Sequence, residues 1–179
     1  IIFMYNTELI YTKETIEFAA VAKEFLSFLE SSQASSKDEF IDTSLKILPL
    51  LYLKALQLPK VEDFDDDFSE KFVDEATWSY IQQITSAKLG EDDQYVQVQD
   101  ATVMNSLDSL NVGLSELYAD LYQDIGDFIG AFRLGIDDTM LAALFYCQEN
   151  FKTYWGIRNL ILLKNLHEIK FKTEDDIDL

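Results

Sequence analysis

A single cysteine among 179 residues has no partner within the chain, so no internal disulfide can stabilise the fold, and the composition suits a reducing compartment. One histidine removes the imidazole pair of most zinc sites, and no Glu-x-x-His spacing of a di-iron bundle accompanies it. Two prolines and six glycines are few for the many tight turns of an all-β domain. No apolar run approaches the roughly 20 residues that cross a bilayer, the longest being Met140 to Cys147. Ile1 to Tyr5 is apolar but has no basic residue before it, a poor secretion signal. The expected location is the cytoplasm, with no membrane attachment. Basic side chains are scarce too: 14 Lys and Arg stand against 33 Asp and Glu, a formal net charge of −19. A phosphate backbone would be repelled, which excludes direct binding of nucleic acid. No nucleophile set, phosphate loop or metal-ligand spacing stands out, so neither a cofactor nor a resident metal is expected.

What remains is material for helices. At 48% apolar content, rich in Leu, Phe, Ile and Ala, the chain reads as all-α: one domain over residues 1–179, a helical bundle of about five to six helices. Residues 1–12 read as an N-terminal extension, 59–76 as an acidic loop and 172–179 as an acidic tail. The stretch from Asp137 to Phe171 organises the rest. Met140, Leu144, Cys147, Phe151, Trp155, Leu162, Leu166 and Ile169 recur at helical intervals along one face, predicting a long C-terminal helix.

Glu14 to Glu30 sets Phe18, Ala22, Phe25 and Leu29 opposite Glu17, Lys23 and Glu24, an amphipathic helix. A second helix runs to Leu58, with Pro49 predicting a kink or a junction. Leu50, Leu51, Leu53, Leu56 and Leu58 leave it almost no polar face, so this half is expected to be covered on most sides. After the acidic connection, where Phe64, Phe68 and Phe72 are candidate anchors, a helix spans about Thr77 to Lys88 and ends at Gly90. Tyr95 to Val98 alternates as a short extended piece, and everything from there to Asn111 reads as loop. Leu114 to Arg133 is the clearest amphipathic helix, with Ser115 as its expected cap. Ala119, Gly126 and Gly130 form a strip of small residues suited to close packing.

In this order and spacing, Lys88 to Tyr95 (KLGEDDQY), Leu117 to Asp124 (LYADLYQD), Gln148 to Phe151 with Tyr154-Trp155-Gly156, and Leu166-His167 carry a resemblance. The chain resembles a family of uncharacterised all-helical bacterial proteins, a domain of unknown function. The resemblance implies a compact helical domain of the bacterial cytoplasm and brings no activity or catalytic residue. Asp93 stands where the family leads one to expect His, which deprives the acidic turn of an imidazole ligand.

Several residues carry candidate chemistry. Glu116, Asp120, Asp124 and Asp127 share one edge of the 114–133 helix, where they read either as a solvated face or, with carboxylates from a second helix, as a magnesium-type site. Glu14 and Glu17 would supply that second set in a faint likeness to all-α nucleotide pyrophosphohydrolases, but the paired Glu-Glu motif is missing. Asp63, Asp65 and Asp67 mimic the start of a calcium loop that lacks its glycine at Phe68 and its final Glu at Asp74. Arg158 falls one turn after Trp155 on the apolar stripe, where a charge needs a carboxylate such as Asp120 or Asp124. The sharper alternative is a pocket in which Trp155, Arg158 and His167 receive an anionic ligand. His167 otherwise reads as partly buried and hydrogen-bonded across the bundle. Asp92 and Tyr95 complete the candidate binding set, and Asp65, Asp66 and Asp67 form an acidic patch.

The resulting expectation is a non-catalytic domain that binds or regulates another protein, its acidic surface meeting a basic partner. The alternative is a metal-dependent hydrolase of a phosphorylated small molecule. Residues 59 to 135 sharpen the first reading, since 17 acidic residues there face Lys60, Lys71, Lys88 and Arg133, a net of −13.

Overall fold

The first three long helices begin where side chains supply caps. In a computed structural model that describes residues 6–62, 70–99 and 109–172, α1 (Lys13–Glu30) starts at Thr12, whose hydroxyl accepts from the Thr15 N–H. Its start is preceded by a 3-10 turn, Thr7–Tyr11, that buries Ile10. α2 (Lys37–Leu56) opens with a reciprocal capping box between Ser36 and Glu39. α3 (Glu75–Leu89) is capped by Asp74 and stopped by Gly90, which turns to φ +58°. β1 (Tyr95–Gln99) and β2 (Ser109–Gly113) pair antiparallel, with Val96 opposite Val112 and Val98 opposite Leu110. α4 (Leu114–Leu134) follows directly and ends at Gly135 in the left-handed region.

α5 (Asp137–Asn150), a π-turn (Phe151–Trp155) and α6 (Gly156–Phe171) form the long C-terminal helix, because Asn150, Phe151, Trp155 and Gly156 all keep right-handed helical dihedrals. The irregularity has a local cause. A Cβ on Gly156 would sit 2.3 Å from the Phe151 carbonyl oxygen, so the tight approach of the wider turn requires glycine. Trp155 is fully buried and its indole N–H donates to the Cys147 carbonyl at 3.0 Å. One continuous core joins Phe18, Phe25, Phe40, Leu48, Tyr118, Phe128, Leu144 and Trp155.

Four expectations change. Residues 109–111 are strand rather than loop, as part of β2, and burial of Val98 and Val112 gives the ribbon its inward side. Ser115 is not the cap of α4. Gly113 holds that position, and the Asp93 carboxylate, from across the ribbon, accepts from the Ser115 N–H and hydroxyl at 2.8 Å each. The C-terminal half of α2 is not covered on most sides. Leu50, Leu53 and Leu56 are 42 to 60% exposed, because α1 and α6 pack against one side of α2 and no described element lies over the other. Pro49, on the exposed side, does not divide α2, which continues as one helix to Leu56.

Candidate functional site

The acidic edge of α4 points inward. Asp120 is buried, and its two oxygens take separate donors: Trp78 Nε1 at 3.0 Å and Arg158 Nε at 3.1 Å. Arg158 is buried as well, its guanidinium lying 3.5 Å over the Tyr154 ring, so the pair is held by an aromatic floor and an indole donor. Burial pushes the Asp120 carboxyl up, opposed by the Trp78 hydrogen bond and by Arg158. One turn further, Asp124 accepts from Asn150 Nδ2 at 2.8 Å, while its second oxygen is buried without a hydrogen-bond partner. Its carboxyl is pushed up to about 6, chiefly by burial.

Asp127 holds the chain that covers this edge. One oxygen accepts from the backbone N–H groups of Phe72 and Val73 at 2.7 and 2.9 Å, and the other lies 3.3 Å from Lys71 Nζ as an ion pair without hydrogen-bond geometry. The small residues of α4 make this approach feasible. A Cβ on Gly126 would meet Val73 at 2.5 Å, and one on Gly130 would meet Phe72 at 2.3 Å. At the other end of the connection, Gln148 donates to the Pro59 carbonyl and accepts from the Val61 N–H. The expected solvated face is therefore an interior seam, because residues 70–73 and the C-terminal helix lie over it.

Asp124, Asp127, Lys71, Tyr146, Cys147 and Asn150 line a cavity of about 30 Å³. That is room for a water or a small ion rather than for a metabolite. The Cys147 thiol is buried and its pKa is raised, so it stays neutral and packs as a small apolar group. Among the described residues no group of three His, Cys, Asp or Glu side chains is arranged to hold a metal. Glu17 is drawn to Lys54 at 2.7 Å, and Asp74 caps α3.

The candidate residues thus fall into two groups. Asp120, Asp124, Trp155 and Arg158 belong to the interior. His167 does not join them: it is exposed, its ring lies tilted against Phe171 with centroids 4.7 Å apart, and it shares an open cleft of about 440 Å³ with Asp92. Its position one turn from the end of α6, beyond the bundle's covering elements, leaves it nothing to bond across. The single pocket of Trp155, Arg158 and His167 does not form. Asp92 pairs with Lys37 at 2.5 Å, and Tyr95 is 72% exposed. Asp65, Asp66 and Asp67 lie outside the described residues, as do Asp63, Phe64 and Phe68. Trp78, Asp93, Gln148 and Tyr154 are not among the candidate site residues read from the sequence. A partly buried indole on the inward face of a helix seeks an acceptor, so Trp78 had a findable signal; the contact of Asp93 with α4 spans 22 residues and had none.

The domain of unknown function DUF5063 matches residues 9–172. The crystal structure of protein BF1032 from Bacteroides fragilis is 38% identical, superposes with a TM-score of 0.80, and matches over 93% of this chain and 98% of that one. None of the curated proteins matches.

Proposed function

We propose that this chain, which belongs to the DUF5063 family, is a non-catalytic domain that binds or regulates another protein, its surplus of surface acid meeting a basic partner. The observation that carries the reading is the employment of the α4 carboxylates. Asp120, Asp124 and Asp127 each accept hydrogen bonds from the protein's own groups, which makes them fastenings of the bundle rather than reagents. The net charge of −19 then acts at the surface, where it repels nucleic acid and attracts cationic protein. No described helix is long and apolar enough to cross a membrane, and the proposed setting is the cytoplasm.

Attraction of this kind accelerates encounter and weakens as salt screens it. The test is co-purification from the native cell, followed by association kinetics with the basic protein recovered. Replacing Asp65, Asp66 and Asp67 together by Asn slows association several-fold at low salt and leaves the circular dichroism spectrum unchanged. Recovery of no basic protein, or equal rates for parent and variant, rejects the reading.

A second reading, a metal-dependent hydrolase of a phosphorylated small molecule, is favoured by one feature: Asp124 and Asp127 each keep a buried oxygen without a hydrogen bond beside the small cavity. Millimolar magnesium or manganese leaves the melting temperature nearly unchanged under the first reading. A large rise, abolished by Asp124→Asn with Asp127→Asn, supports the second.

A further inference from the structure

The outer face of the bundle between α2 and α6 is apolar, open and nearly free of net charge. Leu45 and Pro49 of α2 and Leu160, Leu163 and Phe171 of α6, together with Lys164, His167 and Glu168, line a groove of about 620 Å³. Leu53 lies one turn beyond Pro49 and Ile157 one turn before Leu160, and these two, with Leu160 and Phe171, are 39 to 61% exposed. Helical spacing puts them on one side of the pair, so they extend the groove into a strip. Its charges are matched locally. Lys164 holds Glu168 at 2.8 Å, and Lys170 holds Asp42 at 3.0 Å and Asp38 at 3.5 Å. Of the charged residues of α6, Arg158 is buried against Asp120 and so adds no charge to this face.

We infer that this strip is the contact face for a second copy of the chain in a two-fold dimer. A basic partner would find few unpaired carboxylates here, and an acidic one few free ammonium groups. An apolar strip whose charges are paired among themselves selects its like, and another copy presents one. Two bodies of charge −19 repel over the rest of their surfaces, and this is a face where they meet without setting acid against acid. The exposed Leu, Ile and Phe side chains of α2 and α6 amount to on the order of 500 Å² per copy, so a two-fold contact reaches about the 1,000 Å² at which a specific interface begins. Two-fold pairing also covers the same patch on both copies at once.

The measurement is sedimentation velocity of the purified chain over a wide concentration range at low and high salt. The expected result is a monomer–dimer equilibrium that tightens as salt rises, because screening relieves the mutual repulsion of the acidic bodies. Leu53→Asp with Leu160→Asp weakens association at least tenfold while the circular dichroism spectrum stays helical, both positions being exposed in the monomer. Since Cys147 is buried, a spin label on Leu160→Cys reports one distance between copies. A chain that stays monomeric at every concentration and both salts overturns the inference. So does a dimer whose affinity is indifferent to the two aspartates, since its interface then lies elsewhere.

Discussion

α4 carries Asp120, Asp124 and Asp127 into the protein, whereas α2 leaves Leu50, Leu53 and Leu56 in solvent. The two helices have similar lengths, 21 and 20 residues, and both pack against α1. What separates them is the chain laid over each. Residues 70–73 and the C-terminal helix close over Asp120, Asp124 and Asp127 of α4, and each of these carboxylates accepts from a donor that comes with the cover. No described element closes over the outer side of α2. Polarity follows from this only loosely: a carboxylate is tolerated inside when donors accompany it, and a leucine outside costs little until something apolar comes to cover it.

Three measurements break or sharpen that contrast. The largest effect belongs to the interior. Arg158→Ala removes the counter-ion of the buried Asp120 carboxylate, leaving it only the Trp78 N–H and the Tyr154 hydroxyl, and lowers unfolding stability by about 3–5 kcal/mol in urea titrations. The double variant Asp120→Asn with Arg158→Met recovers most of that loss. A cost under about 1 kcal/mol for Arg158→Ala would mean that water reaches the pair and the contrast fails.

The second effect is a pH dependence. Because the folded pKa of Asp124 is raised to about 6 from the ordinary 3.8, the folded protein binds this proton more tightly than the unfolded chain does. The group therefore disfavours the folded state above pH 6, and that penalty is relieved as pH falls from 6 towards 3.8. Relative to Asp124→Asn, the parent gains on the order of 2 kcal/mol between pH 7 and pH 4.5, read from paired denaturation curves. A parent that instead loses ground to the variant on acidification would place Asp124 in a polar, charge-stabilising setting.

The smallest effect is expected on α2 and α6. Leu53→Gln and Leu160→Gln each change stability by no more than about 0.5 kcal/mol in dilute solution, where the chain is monomeric. Losses near the 2–5 kcal/mol of a buried leucine would show these residues to be covered.

Legibility in the sequence followed the range of the interaction. The face of α1, the stop at Gly90 and the stripe from Met140 to Leu166 depend on neighbours within a turn or two, and periodicity and caps reveal them. The small strip at Gly126 and Gly130 was legible as packing surface, though not as the seat of Val73 and Phe72. The pairing of Arg158 with a carboxylate could be anticipated because a charge on an apolar stripe has few alternatives. The fate of the α4 edge could not, since a line of carboxylates looks alike whether water or a distant loop faces it. α2 shows the converse: unbroken leucine implies a cover and says nothing about whether that cover belongs to the same chain.

The π-turn at Phe151–Trp155 sets a phase between two helical registers. A widened turn adds a residue without advancing the spiral, so everything after it is rotated by about 100° relative to an uninterrupted helix. α5 is thereby aligned to α4, while α6 is aligned independently to α2, where Asn159 Nδ2 donates to the Leu48 carbonyl at 3.1 Å, and to α4 at Asp120. Removal of a single residue between Phe151 and Trp155 would leave a smoother helix and swing Arg158 away from Asp120 and Asn159 away from Leu48 in one step. The chain's tolerance for a change in length is therefore lowest at the place where its helical geometry is least regular.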